Sequence, residues 1–167
     1  MENKALFNKI DEYFKDIVSK TDNIKGYISI SQEELQKKLT QKIENPIMVF
    51  SGYEGKLDGN NQRTIGNRTI QFVILFKCHP NNTQEQINAI NAAENIGLNI
   101  ISRIKYDATK SSNWLYKSFD QSSVHFNEFY FQNAVGLFGC QFSFELENKN
   151  SLSIDKSFWL DDIGCES

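Results

Sequence analysis

The sequence has little that would cross-link it covalently or tether it to a membrane. Its three cysteines, Cys78, Cys140 and Cys165, are odd in number and widely spaced, which argues against a disulfide framework and matches no zinc-ligand pattern. No run approaches the roughly 18 apolar residues of a membrane span, and no basic segment followed by an apolar one opens the chain. We therefore expect a reduced, intracellular protein without membrane contact.

The sequence also lacks an excess of basic residues. Its 18 Lys and Arg are outnumbered by 21 Asp and Glu, which gives a formal net charge of -3. Such a chain has no overall positive field to attract a phosphate backbone, and no local run of basic residues supplies one. We expect free nucleic acid not to be a partner.

Residues that carry chemistry are scarce. His79 and His125 are the only histidines, and the sequence places no nucleophile or carboxylate beside either one. No glycine-rich loop ends in the Lys and Ser/Thr that a phosphate site needs. Asp161, Asp162 and Glu166 lack the spacing of a calcium loop and are typical of a solvated acidic terminus. We expect no catalytic residue, cofactor or metal.

Aromatic and apolar residues are abundant instead. The 167 residues are 40% hydrophobic and include 13 Phe and 6 Tyr, enough to form one hydrophobic core. We expect a single domain over 1–167, divided into N-terminal helices at 1–45, an α+β core at 46–147 and a C-terminal tail at 148–167.

Apolar spacing predicts three helices. The first spans Asn3–Ser19. The second begins at a capping box, Ser31–Glu34, and ends before Pro46. The longest begins at a second capping box at Thr83 and ends near Lys105, and its apolar face comprises Ile90, Ala93, Gly97, Ile100 and Ile104. Glycine in a helix interior indicates that a strand approaches closely there.

Several stretches are typical of strands. Gly26–Ile30 and Ile47–Phe50 are short, whereas Thr69–Lys77 lacks alternation and is expected at the centre of a sheet that is covered on both faces. Val124–Phe131 and Phe138–Leu146 follow, and the second alternates strictly, which places Cys140 among buried phenylalanines. Turn-forming residues in Gly55–Asn67 predict a long polar hairpin tip, and Asp107–Ser123 resembles an irregular connection.

This order predicts an α+β fold: a mainly antiparallel sheet with a long helix and N-terminal helices packed on one face. From Gly52 to Lys77, through the helix at Thr83–Lys105, to the ending Asn133–Leu146, the chain resembles the tail-terminator and tail-completion (head-tail connector) proteins of bacteriophages. The resemblance covers roughly residues 46–147 and lies in the order of elements, without a diagnostic motif.

The resemblance implies a non-enzymatic structural protein of a phage or a phage-like contractile particle. Such proteins form rings, typically hexamers, that cap a tail tube, so the implied partners are further copies of the chain and tail-tube or neck proteins. The implied location is the host cytoplasm during assembly and the virion or injection particle afterwards.

A ring subunit needs two different, complementary surfaces. The polar hairpin and the aromatic tail supply the candidates, and the residues that we expect at the interface are Lys56, Leu57, Arg63, Arg68, Phe158, Trp159 and Leu160. Two alternatives stay open. One is a small intracellular protein-binding or regulatory module, for instance a toxin inhibitor. The other is an enzyme whose site is assembled from His125, Glu128 and Tyr130.

Overall fold

The structure is a computed structural model that describes residues 6–29, 45–60, 63–130 and 136–150, with the backbone alone at 6, 60, 63–64 and 148–150. The elements follow in the order α1 (Leu6–Ser19), β1 (Gly26–Ser29), β2 (Ile47–Asn60), β3 (Arg63–Lys77), α2 (Thr83–Ala108), β4 (Phe119–Tyr130) and β5 (Leu137–Asn150). The helix predicted between Ser31 and Pro46 and the tail after Asn150 lie outside the described residues.

The five strands form one mixed sheet in the order β1-β2-β3-β5-β4. β1 pairs with β2 in parallel, and every other neighbouring pair is antiparallel. β3 is therefore the central strand, as the apolar stretch Thr69–Lys77 predicts. The α+β fold with a mainly antiparallel sheet is confirmed.

The main core lies between the sheet and the two helices, on what we call the helix side. Phe72 and Phe142 stack there with ring centroids 5.1 Å apart, and Phe14 of α1 packs against Phe72 at 5.5 Å. α2 passes so close to β5 that a Cβ on Gly97 would lie 2.0 Å from a ring atom of Phe142. The close approach predicted from this glycine is confirmed.

The other face, the far side, is apolar at one end only. Six side chains from four strands form a second buried cluster, and Phe129 packs against it; the six are Ile28, Ile47, Val49, Val73, Leu75 and Leu137. β3 is therefore covered on both faces along this inner half of the sheet, because Ile74 on the helix side is buried as well. Further along the strands the far side becomes polar.

The long helix begins one residue away from the predicted position. Asn82, not Thr83, is the N-cap, and its side chain accepts a hydrogen bond from the Glu85 backbone N–H. The Glu85 carboxylate accepts from the His79 backbone N–H at 3.1 Å. Asn82 and Glu85 have the spacing of a capping box. The Glu85 carboxylate, however, accepts from the turn before the helix and not from the backbone N–H of Asn82.

Three predicted boundaries are wrong. The hairpin tip predicted at Gly55–Asn67 is regular β ladder, paired as far as Asn60 opposite Arg63. β4 begins at Phe119, inside the connection expected to be irregular, since an irregularity between Asp120 and His125 hides its pattern. β5 continues to Asn150, beyond the predicted end of the strand at Leu146. The short strand predicted at Gly26–Ile30 is confirmed as β1, which pairs with β2.

A buried carboxylate joins the two helices. Asp107 is 4% exposed and accepts hydrogen bonds from the Tyr13 hydroxyl at 3.0 Å and from Arg103 Nε at 2.8 Å. Burial alone would raise the pKa of Asp107, but the hydrogen bonds from Arg103 and Tyr13 outweigh it, so the pKa lies below the usual range of an aspartate. The charged Asp107 of α2 thus links the two helices through its hydrogen bond with Tyr13 of α1.

Candidate assembly surfaces

The outer half of the β2–β3 hairpin forms an arm, which we define as residues 53–60 and 63–69 with β5 residues 145–150 alongside. β1 pairs with β2 only as far as Phe50. Beyond that point no described strand lies along the outer edge of β2, and every residue from Tyr53 to Gly59 is exposed. Exposed strand edges of this kind are sites where another chain can pair or pack.

The helix side of the arm carries a small niche, which we define as Tyr53, Gly55, Leu57 and Arg68. Leu57 is 53% exposed and Tyr53 39%. Gly55 lies opposite Arg68 in the ladder, and a Cβ at Gly55 would meet nothing within 4 Å. The fold of one subunit therefore gives no packing reason for glycine at this position, whereas close approach of another molecule would.

Arg68 is incompletely satisfied within the subunit. Its guanidinium carbon lies 5.9 Å from the centroid of the Tyr53 ring, within the range of a cation–π interaction. Its Nη1 atom is buried and has no hydrogen-bond partner among the described residues. A buried donor without an acceptor is costly, so the niche favours an incoming carboxylate or carbonyl oxygen.

The far side of the arm is polar. Lys56 forms an ion pair with Asp58 at 3.0 Å between Nζ and Oδ2, and the hydrogen bond from this side chain to Asp58 raises the pKa of Lys56. Asn67 lies opposite Lys56 on the neighbouring strand. Besides this pair, the face carries the carboxylates of Glu54 and Glu145, and the buried Asn67 Oδ1 has no hydrogen-bond partner among the described residues. It lacks the apolar anchor that Leu57 supplies to the niche.

The structure thus separates the residues that were expected at an interface. Leu57 and Arg68 lie on the helix side of the arm, and Lys56 lies on the far side. The backbone of Arg63 ends the ladder opposite Asn60, and nothing is described of its side chain. Phe158, Trp159 and Leu160 lie outside the described residues.

The opposite edge of the sheet carries a second exposed cluster. We call Phe126, Glu128 and Tyr130 the β4 patch; all three are exposed on the helix side of the edge strand. Phe126 stacks on Phe142 at 5.5 Å and still leaves 46% of its surface exposed, and Tyr130 leaves 56%. An aromatic edge with one carboxylate suits a protein contact.

A catalytic site at His125, Glu128 and Tyr130 is not assembled. Alternation along β4 places His125 opposite Ser143 on the far side, whereas Glu128 pairs with Cys140 and Tyr130 with Phe138 on the helix side. The sheet itself therefore lies between the imidazole and the carboxylate. Within the described ranges no group of His, Cys, Asp and Glu has the arrangement of a metal site.

The buried thiols are poor nucleophiles. Burial, with the charge of Glu94 beside it, raises the pKa of Cys140 to about 11, so the thiol is protonated at neutral pH. It donates to the Asn127 carbonyl, with 3.2 Å between Sγ and O. Burial and Glu85 raise the pKa of Cys78 as well. The placement of Cys140 on the buried face of its strand is confirmed.

A groove of about 410 Å³ lies between the end of α1 and the middle of α2. Isoleucines form its floor and amides and cations its rim; the lining residues are Ile17, Lys20, Thr21, Asn23, Ile24, Asn95, Ile96, Asn99, Ile100 and Arg103. Among the described lining residues, Lys20 and Arg103 alone are charged, and they pair with Asp16 and Asp107 outside the lining. The groove is suited to an apolar group with hydrogen-bonding edges.

No protein-family model matches the chain, and no curated sequence is significantly similar to it. Among the residues that the structure describes, none of the helices combines the length and apolar content needed to cross a bilayer.

Proposed function

We propose that this protein is a non-enzymatic structural subunit that assembles with copies of itself, in the role of a ring-forming tail terminator or connector of a phage or phage-like contractile particle. The observation that carries the proposal is the arm. Its β2 strand is exposed from Tyr53 to Gly59, yet it carries the apolar side chain of Leu57. On the neighbouring β3 strand, Arg68 has a buried nitrogen without an acceptor among the described residues.

An arm of this kind gains little from the fold of its own subunit. Leu57 is 53% exposed and is not among the buried core residues, and glycines at 55 and 59 weaken the strand. Contact with a second copy would bury Leu57 and Tyr53 and satisfy Arg68, which explains why a long ladder extends beyond the helices. Assembly supplies the stabilisation that the isolated arm lacks.

The placement in a phage-like particle rests on the resemblance in element order. The arm, the long helix and the closing strand pair follow one another as they do in tail terminators. The proposed partners are further copies of the chain and tail-tube or neck proteins, and the proposed location is the host cytoplasm during assembly and the particle afterwards.

The groove between α1 and α2 favours a second candidate, a small protein-binding or regulatory module. Its size and amide-lined rim suit capture of a peptide segment. This alternative predicts a monomer that binds a partner of a different sequence instead of a closed assembly.

Size-exclusion chromatography with light scattering tests the proposal. We expect the wild-type protein to form a discrete assembly and Leu57→Ser to shift it towards monomer, because the apolar anchor of the niche is lost. Glu54→Ser, on the same strand but on the far side, is the matched control and should leave the assembly unchanged. A wild-type protein that stays monomeric at every concentration contradicts the proposal.

Lys56→Ser extends the same test to the far side of the arm. If only the niche meets the neighbour, this variant will assemble like the wild type. Loss of assembly in both Leu57→Ser and Lys56→Ser would mean that both faces of the arm are buried in the contact.

A further inference from the structure

The arm niche and the β4 patch are complementary in composition and charge. The niche offers Leu57, Tyr53 and the cation of Arg68, whereas the patch offers Phe126, Tyr130 and the carboxylate of Glu128. Each combines exposed apolar side chains with a single charge, and the two charges are opposite. Complementary potentials of this kind select partners and fix the register of a contact.

The two surfaces cannot meet within one subunit. Arg68 aligns with Leu146 and Glu128 with Cys140, six positions apart along β5, a separation of about 20 Å. They also lie on opposite sides of β5, which adds about 10 Å across the strands. The niche and the patch therefore stand at diagonal corners of the sheet, beyond the reach of two side chains.

We propose that the arm niche of one copy packs against the β4 patch of the next, with Glu128 facing Arg68. This inference rests on the proposed self-assembly and names the two surfaces that it uses. The Glu128 carboxylate supplies a charge opposite to that of the Arg68 guanidinium, and the open space in front of Gly55 receives a ring from Phe126 or Tyr130.

The charges favour a head-to-tail contact over a symmetric one. A two-fold contact between niches would bring Arg68 towards its own copy, and one between patches would do the same for Glu128, and like charges oppose both. A niche-to-patch contact leaves one free niche and one free patch on every pair, so further copies add until the assembly closes. The acidic character of the patch is reinforced by Glu94, whose charge acts on the neighbouring Cys140.

Charge reversal tests the pairing. Arg68→Glu puts carboxylates on both sides of the contact, and Glu128→Arg puts cations on both sides. We expect each single variant to assemble roughly tenfold or more weakly than the wild type, measured by sedimentation over a concentration series. The double variant restores opposite charges and should recover most of the assembly.

Mixing the two single variants is a sharper form of the test. In an alternating assembly the altered niche of one variant meets the altered patch of the other, and the unaltered niche meets the unaltered patch. Both junctions are then complementary, so the mixture should assemble although neither variant does so alone. Glu54→Arg, which makes the same charge change as Glu128→Arg but on the far side of the arm, is the control and should assemble like the wild type.

The outcomes separate the two proposals. If the wild type assembles but Glu128→Arg assembles equally well, or if neither the double variant nor the mixture recovers, the niche and the patch are not partners and self-assembly by another surface stands. If the wild type does not assemble, both proposals fail. Circular dichroism melting of each single variant shows whether a loss of assembly reflects unfolding, and recovery in the mixture excludes that explanation directly.

Discussion

Strands β2 and β3 run through two different environments, an inner half under the helices and an outer half in the arm. From Ile47 to Phe50 every β2 residue is buried, whereas from Tyr53 to Gly59 every one is exposed. The ladder between the strands continues through both halves. Backbone pairing is therefore common to the two, and side-chain burial distinguishes them, so the inner half serves the fold and the outer half is available for contacts between molecules.

The largest expected difference between the halves is at large apolar side chains. Phe72→Ala should lower the free energy of unfolding by about 3–5 kcal/mol, because it leaves a cavity between Phe14 and Phe142. Leu57→Ala should change it by less than about 0.5 kcal/mol, since the side chain is largely exposed. Urea denaturation below the concentration of assembly measures both. A similar loss in the two variants would mean that the arm is part of the core.

Buried polar groups sharpen the comparison. Asp107 in the helix layer has partners in Tyr13 and Arg103, whereas Arg68 Nη1 in the arm has none among the described residues. Asp107→Asn should destabilise the subunit by about 1–3 kcal/mol, because it weakens charge-assisted hydrogen bonds. Arg68→Met removes a buried donor that lacks an acceptor, so it should be nearly neutral for the subunit and harmful only to assembly.

The Asp107 effect should depend on pH. Its pKa is lower in the folded protein than in the unfolded chain, so its contribution is fully present above about pH 4 and is lost as the pH falls through the folded pKa. The difference between wild type and Asp107→Asn should therefore shrink in acid. Denaturation at a series of pH values measures this; a difference that grows in acid would contradict the assigned pKa direction.

The inner half could be predicted from the sequence because burial imposes a pattern on it. Phe138–Leu146 alternates, and the structure places Cys140, Phe142 and Phe144 on the buried helix side. The outer half of β2 could not be predicted in this way, because its residues 53–59 are exposed on both faces, so they need no alternation and tolerate Gly55 and Gly59. The residues of Gly55–Asn67 that favour turns are equally compatible with an exposed strand, so the sequence does not distinguish the two.

The sequence also does not reveal which face of the sheet each arm residue occupies. The register shifts by one residue between Phe50 and Gly52, where Gly52 has a φ of 97°, so odd-numbered residues replace even-numbered ones on the helix side. Without this bulge Lys56, and not Leu57, would share a face with Arg68. Lys56 and Leu57 could both be predicted as interface candidates from the sequence, but only the structure shows that they lie on opposite faces of the arm.

Glycine gives the finest comparison, because the same substitution should have opposite effects in the two halves. Gly97→Ala drives a methyl group into Phe142, which is held between Phe72 and Phe126 and cannot move aside. Overpacking should outweigh the helix propensity that alanine gains, for a net loss of about 1–2 kcal/mol. Gly55→Ala meets nothing, and restricting the unfolded chain should stabilise the subunit by about 0.5 kcal/mol.

The Gly55 substitution also separates the stability of the subunit from assembly. If a neighbouring ring packs against the backbone at Gly55, the added methyl group weakens assembly while the melting temperature of the monomer rises slightly. Gly59→Ala is not a suitable control, since Gly59 has a φ of 116° that alanine adopts only with strain. A Gly55→Ala protein that is both more stable and fully assembled would show that no neighbour approaches the niche, and it would leave the exposed arm without the contact that we assign to it.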